Sequence, residues 1–236
     1  AADYFSRRKK NVLLVDLDQQ TSATLFFQNS YTIKPKETLY DGFVNENLDP
    51  CLCHIREHLD ILPGDWFMKN FEEYALKVPS KNRFFILRRL LAKYRDKYDY
   101  IILDVPPSTN AIVSNAAIAS DYIVLVLQSQ KASYDMALRS VRYLNDLRND
   151  YGASYKMLGI ALYLVSKRSA TDRKIVAQAQ EDFGQRALFS NRIYYSERVK
   201  TWSNEGMTHN QKDVNDRKTH QMYDAFMDEI VKRIEA

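Results

Sequence analysis

Val12-Leu13-Leu14-Val15-Asp16-Leu17-Asp18-Gln19-Gln20 and Tyr100-Ile101-Ile102-Leu103-Asp104-Val105-Pro106-Pro107 decide the fold. Each is a short apolar run that stops at a carboxylate. A strand buried on both faces of a parallel sheet reads as such a run, and its C-terminal end opens where ligands bind in open α/β sheets. Two such strands would bring Asp16, Asp18 and Asp104 to one rim. Three carboxylates there suit a hard cation and, behind it, a phosphate chain. The glycine-rich loop ending in Gly-Lys-Ser/Thr that cradles phosphates does not occur in the sequence.

The surrounding chain alternates in the same sense. A helix is expected over residues 21–28, and Leu59-Asp60-Ile61-Leu62 reads as a brief strand ended by Pro63-Gly64. Helices are expected over residues 67–77 and 82–97, the second with Phe84, Phe85, Leu87, Leu90, Leu91 and Tyr94 on one broad face. After the Asp104 strand come helix 112–119, strand 122–127, helix 134–149, strand 157–165 and helix 171–183. A short strand near 188–194 and helices 196–203 and 219–234 complete the pattern. This alternation predicts an α/β fold, a doubly wound and mostly parallel sheet in one domain over residues 1–236.

With 236 residues, 45% of them hydrophobic, the chain can bury one sizeable core. The net charge of +4 is a mild basic excess, compatible with a polyanionic partner. The only cysteines, Cys51 and Cys53, stand one residue apart, too close along a strand for a relaxed disulfide. Cys51-Leu52-Cys53-His54 is followed by no second ligand pair at zinc-finger spacing, so it reads as ordinary strand or loop. No apolar stretch approaches the roughly 20 residues of a membrane span, and a cytoplasmic protein is expected. Residues 1–10 end in Arg7-Arg8-Lys9-Lys10, cations that suit the C-terminal end of a helix. The chain is therefore expected to start inside a helix.

Asp104, closing an apolar strand before two prolines, is placed to hold magnesium through water. Asp16 and Asp18, two apart at a strand end, can take different tasks: one beside the metal, the other orienting a water for in-line attack. Gln19 and Gln20 add neutral amides beside them.

Residues 12–24 (VLLVDLDQQTSAT) resemble the segment that follows the P-loop helix in the ParA family of plasmid and chromosome partition ATPases, relatives of MinD. Residues 59–63 are similar to that family's short strand ending in proline, and 99–108 (DYIILDVPPS) to its Walker B strand. Residues 115–127 (NAAIASDYIVLVL) resemble the helix and strand that follow, and 159–174 and 193–206 match more loosely. The resemblance implies a P-loop NTPase-like fold that binds ATP and Mg2+. By it Asp18 positions the attacking water, Asp16 stands beside the magnesium shell, Asp104 is the Walker B aspartate and Gln20 keeps the family's amide beside the nucleotide. It also implies a homodimer on ATP, non-specific duplex DNA, a ParB-like stimulating partner and a nucleoid-associated bacterial setting.

Two departures stand out. The family's phosphate loop and its strand should lie about 25 residues upstream of Asp18, whereas the sequence starts 17 residues before it. The natural protein is thus expected to be longer, the sheet here lacking its N-terminal P-loop strand. Gln19-Gln20 also replaces the family's usual Pro-Gln.

DNA-contact candidates are Arg168, Arg173, Arg198 and Lys200, with Lys167, Lys174 and Arg192 nearby and Tyr194, Tyr195 and Trp202 interleaved. Cations on neighbouring loops grip phosphates without reading bases. Two alternatives follow. A MinD-like membrane-surface ATPase would use the last helix, but Asp224, Asp228 and Glu229 beside Lys232 and Arg233 make its polar face mixed, so it is expected to pack on the domain. A nucleotide-free scaffold would keep the fold for protein or DNA contacts.

Overall fold

Val12–Asp16 forms the strand β1, and all five of its residues are buried. In the computed structural model, residues 1–166 and 169–236 are described. They group into two compact units, residues 1–120 with 202–207 and residues 121–201 with 208–236.

In the first unit β1 lies between two parallel neighbours, β3 (Leu59–Leu62) and β4 (Tyr100–Asp104). A fourth strand, β2 (Cys53–Arg56), pairs antiparallel with β3, giving the order β2-β3-β1-β4. The helices are α1 (Ala2–Arg7), α2 (Ser22–Gln28), α3 (Leu39–Val44), α4 (Phe71–Lys77), α5 (Ile86–Leu91) and α6 (Ala111–Ala119). Leu13, Val15, Phe43, Leu62, Phe71, Leu87, Tyr94 and Ile112 form the core of this unit. Burying each such side chain contributes about 1.5–3 kcal/mol, which is why an uninterrupted apolar run can be held in the middle of a sheet.

In the second unit three parallel strands run in the order β5-β6-β7, from β5 (Tyr122–Gln128), β6 (Lys156–Val165) and β7 (Ile193–Tyr194). Its helices are α7 (Lys131–Tyr151), α8 (Ala170–Phe183), α9 (Glu197–Glu205, whose last residues belong to the first unit) and α10 (Val214–Glu235). Leu127, Tyr134, Leu162, Val165, Ile175 and Ala179 form its core. The mixed α/β class with parallel-dominated pairing is therefore as the alternation predicts; among the described residues only β2 runs antiparallel.

Element bounds depart from the sequence reading where capping decides them. The helix expected over 82–97 is the shorter α5. Asn115 on α6 accepts from the Leu87 N–H at 3.2 Å and donates to the Arg83 carbonyl at 3.0 Å, fixing where that helix begins. A 3-10 turn over Ala92–Tyr94 ends it. Residues 39–44, unassigned from the sequence, form α3 because Thr38 and Asp41 make a reciprocal capping box. The strand expected over 188–194 shrinks to β7, with Leu188 making only an isolated bridge to Ile160. Cys53 lies on β2 and Cys51 in the turn before it, both as free buried thiols.

The second strand of the decisive pair is less covered than the first. Among the described residues β4 is paired on one side only, and Tyr100, Ile101, Ile102 and Leu103 are all half-buried. β5 is likewise an edge in its own unit, with Val126 58% exposed.

Candidate functional site

The parallel register of β1 and β4 places Asp16 directly opposite Asp104. The backbone continues the pairing for one step, the Leu17 N–H donating to the Asp104 carbonyl at 2.8 Å. Beyond that point the chain turns. Asp18 accepts from the Gln20 N–H at 2.9 Å, its carbonyl accepts from Thr21 N–H at 2.9 Å, and Thr21 takes a left-handed φ of 55° before α2 begins. Asp/Asn side chains make such local turns readily. Asp16 and Asp18 thus leave the strand in different settings, one inside and one half-buried at the rim.

Asp16 is completely buried. Its Oδ2 accepts from the Thr24 N–H at 2.8 Å and the Thr24 hydroxyl at 2.7 Å, and its Oδ1 from the Asp18 N–H at 3.2 Å. Burial raises its carboxyl above the ordinary range, and the two Thr24 bonds and the Asp18 N–H oppose that rise. Thr24 also accepts from the Gly64 N–H at 2.8 Å. The turn after β3 approaches so closely that a Cβ on Gly64 would lie 2.9 Å from the Asp16 carboxyl carbon. The sequence reading named Gly64 as part of the turn after the strand and Thr24 as the end of the 12–24 segment, but gave neither a role in the site. The signal was a small residue directly after the Pro63 that ends a strand.

Asp104 differs. Its side chain reaches solvent at the strand end, yet desolvation by the neighbouring strand ends, followed by the charges of Asp16 and Asp18, pushes it up to about 6. Desolvation is the larger burden on Asp16 and Asp104, and the charges of the neighbouring carboxylates add to it. A divalent cation relieves it, and an all-oxygen, carboxylate-rich set suits Mg2+ that keeps several waters. Asp16, Asp104 and Asp18 therefore fit a magnesium site. Gln20 is exposed and joins the cluster through its backbone N–H instead of its amide. Beside the cluster a cavity of about 310 Å3 is lined by Gln19, Lys69, Glu72, Ser108 and Asn110 over Met68 and Phe71.

Residues 1–154 match a family of AAA domains. Among curated proteins, the chromosome-partitioning ATPase Soj of Thermus thermophilus is 26% identical over 190 residues, 80% of this chain and 71% of that one. The chain belongs to this family, the ParA/MinD group of AAA-domain proteins. It spans about two thirds of the length of the curated relatives it matches. Among solved structures, the ATP complex of a Cyanothece McdA variant superposes over 96% of this chain and 87% of that one, with a TM-score of 0.82 at 18% identity. Cobyrinic acid a,c-diamide synthase of Mycobacterium smegmatis, solved with ADP and magnesium, covers 77% and 73% with a TM-score of 0.68 at 22% identity. At those identities the likeness establishes the ParA-type fold.

Of the DNA-contact candidates, Arg173, Arg198 and Lys200 lie in the second unit and are placed unequally. Lys167 and Arg168 fall outside the described residues. Arg173 and Lys200 are exposed. Arg198 is spoken for: its guanidinium pairs with Asp213 and, at 3.5 Å, with the wholly buried Asp216. Trp202 is buried, so it offers no stacking face. An open cavity of about 1040 Å3 at the ends of β6 and β7 is lined by Arg192, Tyr194, Tyr195, Arg198 and, from α10, Lys218.

Proposed function

We propose that this chain is the body of a ParA-type partition ATPase. It hydrolyses ATP with Mg2+, pairs with a second copy on ATP, binds duplex DNA without reading sequence and answers a ParB-like partner in a nucleoid-associated setting. The observation that carries the hydrolase part is the register of β1 and β4, which sets Asp16 against Asp104 with Asp18 two residues on. Asp16 and Asp104 would hold Mg2+ largely through water, and the ion would neutralise charge developing on transferred phosphate oxygens. Asp18, at the rim, would orient the attacking water. These 236 residues supply the cation and water side of the site and contain no Gly-Lys-Ser/Thr cradle for the phosphates.

The DNA part is supported by the cations of the second unit. Arg192 and Lys218 line its large cavity, and Arg173 and Lys200 stand exposed nearby in sequence. Arg198 serves better as a brace for the α10 start than as a phosphate contact, because removing it would take a cation away from the buried Asp216 carboxylate. The membrane alternative has less to draw on. Phe226 of α10 packs edge-on to Phe189 at 5.1 Å, and Met227 and Ile230 are buried. Among the described residues no helix is long and apolar enough to cross a membrane.

The test is steady-state ATP hydrolysis with Mg2+, with and without duplex DNA, on a sample whose intact mass is also measured. The expected result is slow turnover that DNA accelerates and that Asp18→Ala lowers by about 100-fold or more. A protein of 27.6 kDa with neither turnover nor nucleotide binding contradicts the hydrolase reading. DNA binding indifferent to ATP would favour the scaffold instead.

A further inference from the structure

We propose that Thr24 is a positioning residue for the hydrolytic site, a bracket that fixes the Asp16 carboxylate and through it the backbone of Asp18. The role rests on the ATPase reading above and goes beyond it in naming a residue that acts through Asp16. The argument begins with the direction of one proton. The Thr24 hydroxyl sits between the Gly64 N–H, 2.8 Å away, and Asp16 Oδ2, 2.7 Å away. An amide N–H can only donate, so the hydroxyl accepts from Gly64 and has its single proton to give to Asp16. Thr24 is itself 3% exposed, so no water competes for that proton.

Asp16 Oδ2 takes a second bond from the Thr24 backbone, at 2.8 Å, so one residue grips one oxygen twice. That grip fixes the rotamer of a side chain that is wholly buried. The remaining oxygen, Oδ1, accepts from the Asp18 N–H at 3.2 Å. A carboxylate that turned would therefore release the first residue of the turn carrying Asp18. Gly64 closes the bracket from the far side, since its N–H reaches Thr24 only because no Cβ stands between that turn and Asp16. Three separate segments, the end of β1, the start of α2 and the turn after β3, thus converge on one hydroxyl. Groups that orient metal-side carboxylates in this way matter nearly as much as the carboxylates themselves.

The test compares Thr24→Val, which keeps the shape and removes the hydroxyl, with Thr24→Ser, which keeps the hydroxyl and removes the methyl. Two readouts are taken on the same samples: kcat and KM for ATP hydrolysis, and Mn2+ uptake in the presence of ATP by electron paramagnetic resonance. Thr24→Val is expected to lose about 10- to 100-fold in kcat and in Mn2+ affinity, with KM for ATP little changed, while Thr24→Ser stays within about threefold of wild type. Thr24→Ala serves in place of the valine variant if the latter does not fold. A folded Thr24→Val with wild-type turnover and Mn2+ uptake overturns the role, as does a serine variant impaired as badly as the valine one. A wild-type protein with neither turnover nor ATP-dependent Mn2+ uptake overturns the nucleotide reading, and this role with it. An active wild type beside an equally active valine variant overturns this role alone.

Discussion

β1 and β4 carry the same message in sequence, four apolar residues and an aspartate, and pair in register, yet the protein treats them differently. β1 is buried along its whole length between two neighbours, whereas β4 is an edge with half-buried residues. Asp16 is enclosed and accepts three hydrogen bonds; Asp104 stands at the open end and carries a carboxyl raised to about 6. The difference teaches that a strand-terminal aspartate can be fixed by its surroundings or left for a ligand to satisfy. Asp16 is the fixed post of the site, and Asp104 is the group whose charge is least compensated.

The largest test of that contrast is stability. Asp16→Ala would leave the Thr24 N–H, the Thr24 hydroxyl and the Asp18 N–H without their acceptor, and is expected to cost about 3 kcal/mol in urea unfolding. Asp104→Ala removes a charge whose ionisation burdens the fold, so at neutral pH it should leave stability unchanged or raise it by up to about 1 kcal/mol. Equal losses would erase the distinction between the two aspartates. Next comes Gly64→Ala, whose new Cβ would meet the Asp16 carboxyl carbon at 2.9 Å and its backbone oxygen at 3.0 Å. It should destabilise by about 1–3 kcal/mol, since the contact is with a fixed group that cannot swing away. A neutral result would mean that Asp16 is looser than its bonds imply.

The smallest effect is in pH. Asp104 has a folded-state value raised from 3.8 to about 6, so the folded protein holds this proton more tightly than the unfolded chain does. Its contribution to stability is full below the unfolded value and is lost as pH rises through about 6. After allowance for solvent screening of a group at the surface, the loss should be about 1 kcal/mol. Melting in metal-free buffer should show it between pH 4 and pH 7 as a difference from Asp104→Asn, which lacks the titration. Identical pH profiles for the two proteins would mean that Asp104 is not electrostatically burdened.

Much of this was legible before any coordinates. The apolar runs ending at Asp16 and Asp104 declared parallel strands because a strand buried on both faces has no alternation to hide. The register that sets the two aspartates opposite each other was not legible, since pairing between distant segments is fixed by the whole sheet. The roles of Thr24 and Gly64 were not legible because the Thr24 hydroxyl, the Gly64 N–H and the Asp16 carboxylate meet only once three separate segments are folded together. α3 was missed because its hydrophobic pattern is short, and only the Thr38–Asp41 box marks its start. Arg198 was read as a free cation because nothing in its neighbourhood in sequence announces Asp213 and Asp216, more than a dozen residues later.

The central claim is that β1 and β4 together present a divalent-cation site. Anomalous diffraction from crystals grown with Mn2+ and ATP tests it directly, because the metal then reports its own position. The account predicts a manganese peak at the carboxylates of Asp16 and Asp104, within about 2–4.5 Å of their oxygens, direct or through one water. Loss of that peak in Asp104→Asn crystals would accord with the account. A manganese peak elsewhere, or none in crystals that hold the nucleotide, would contradict it.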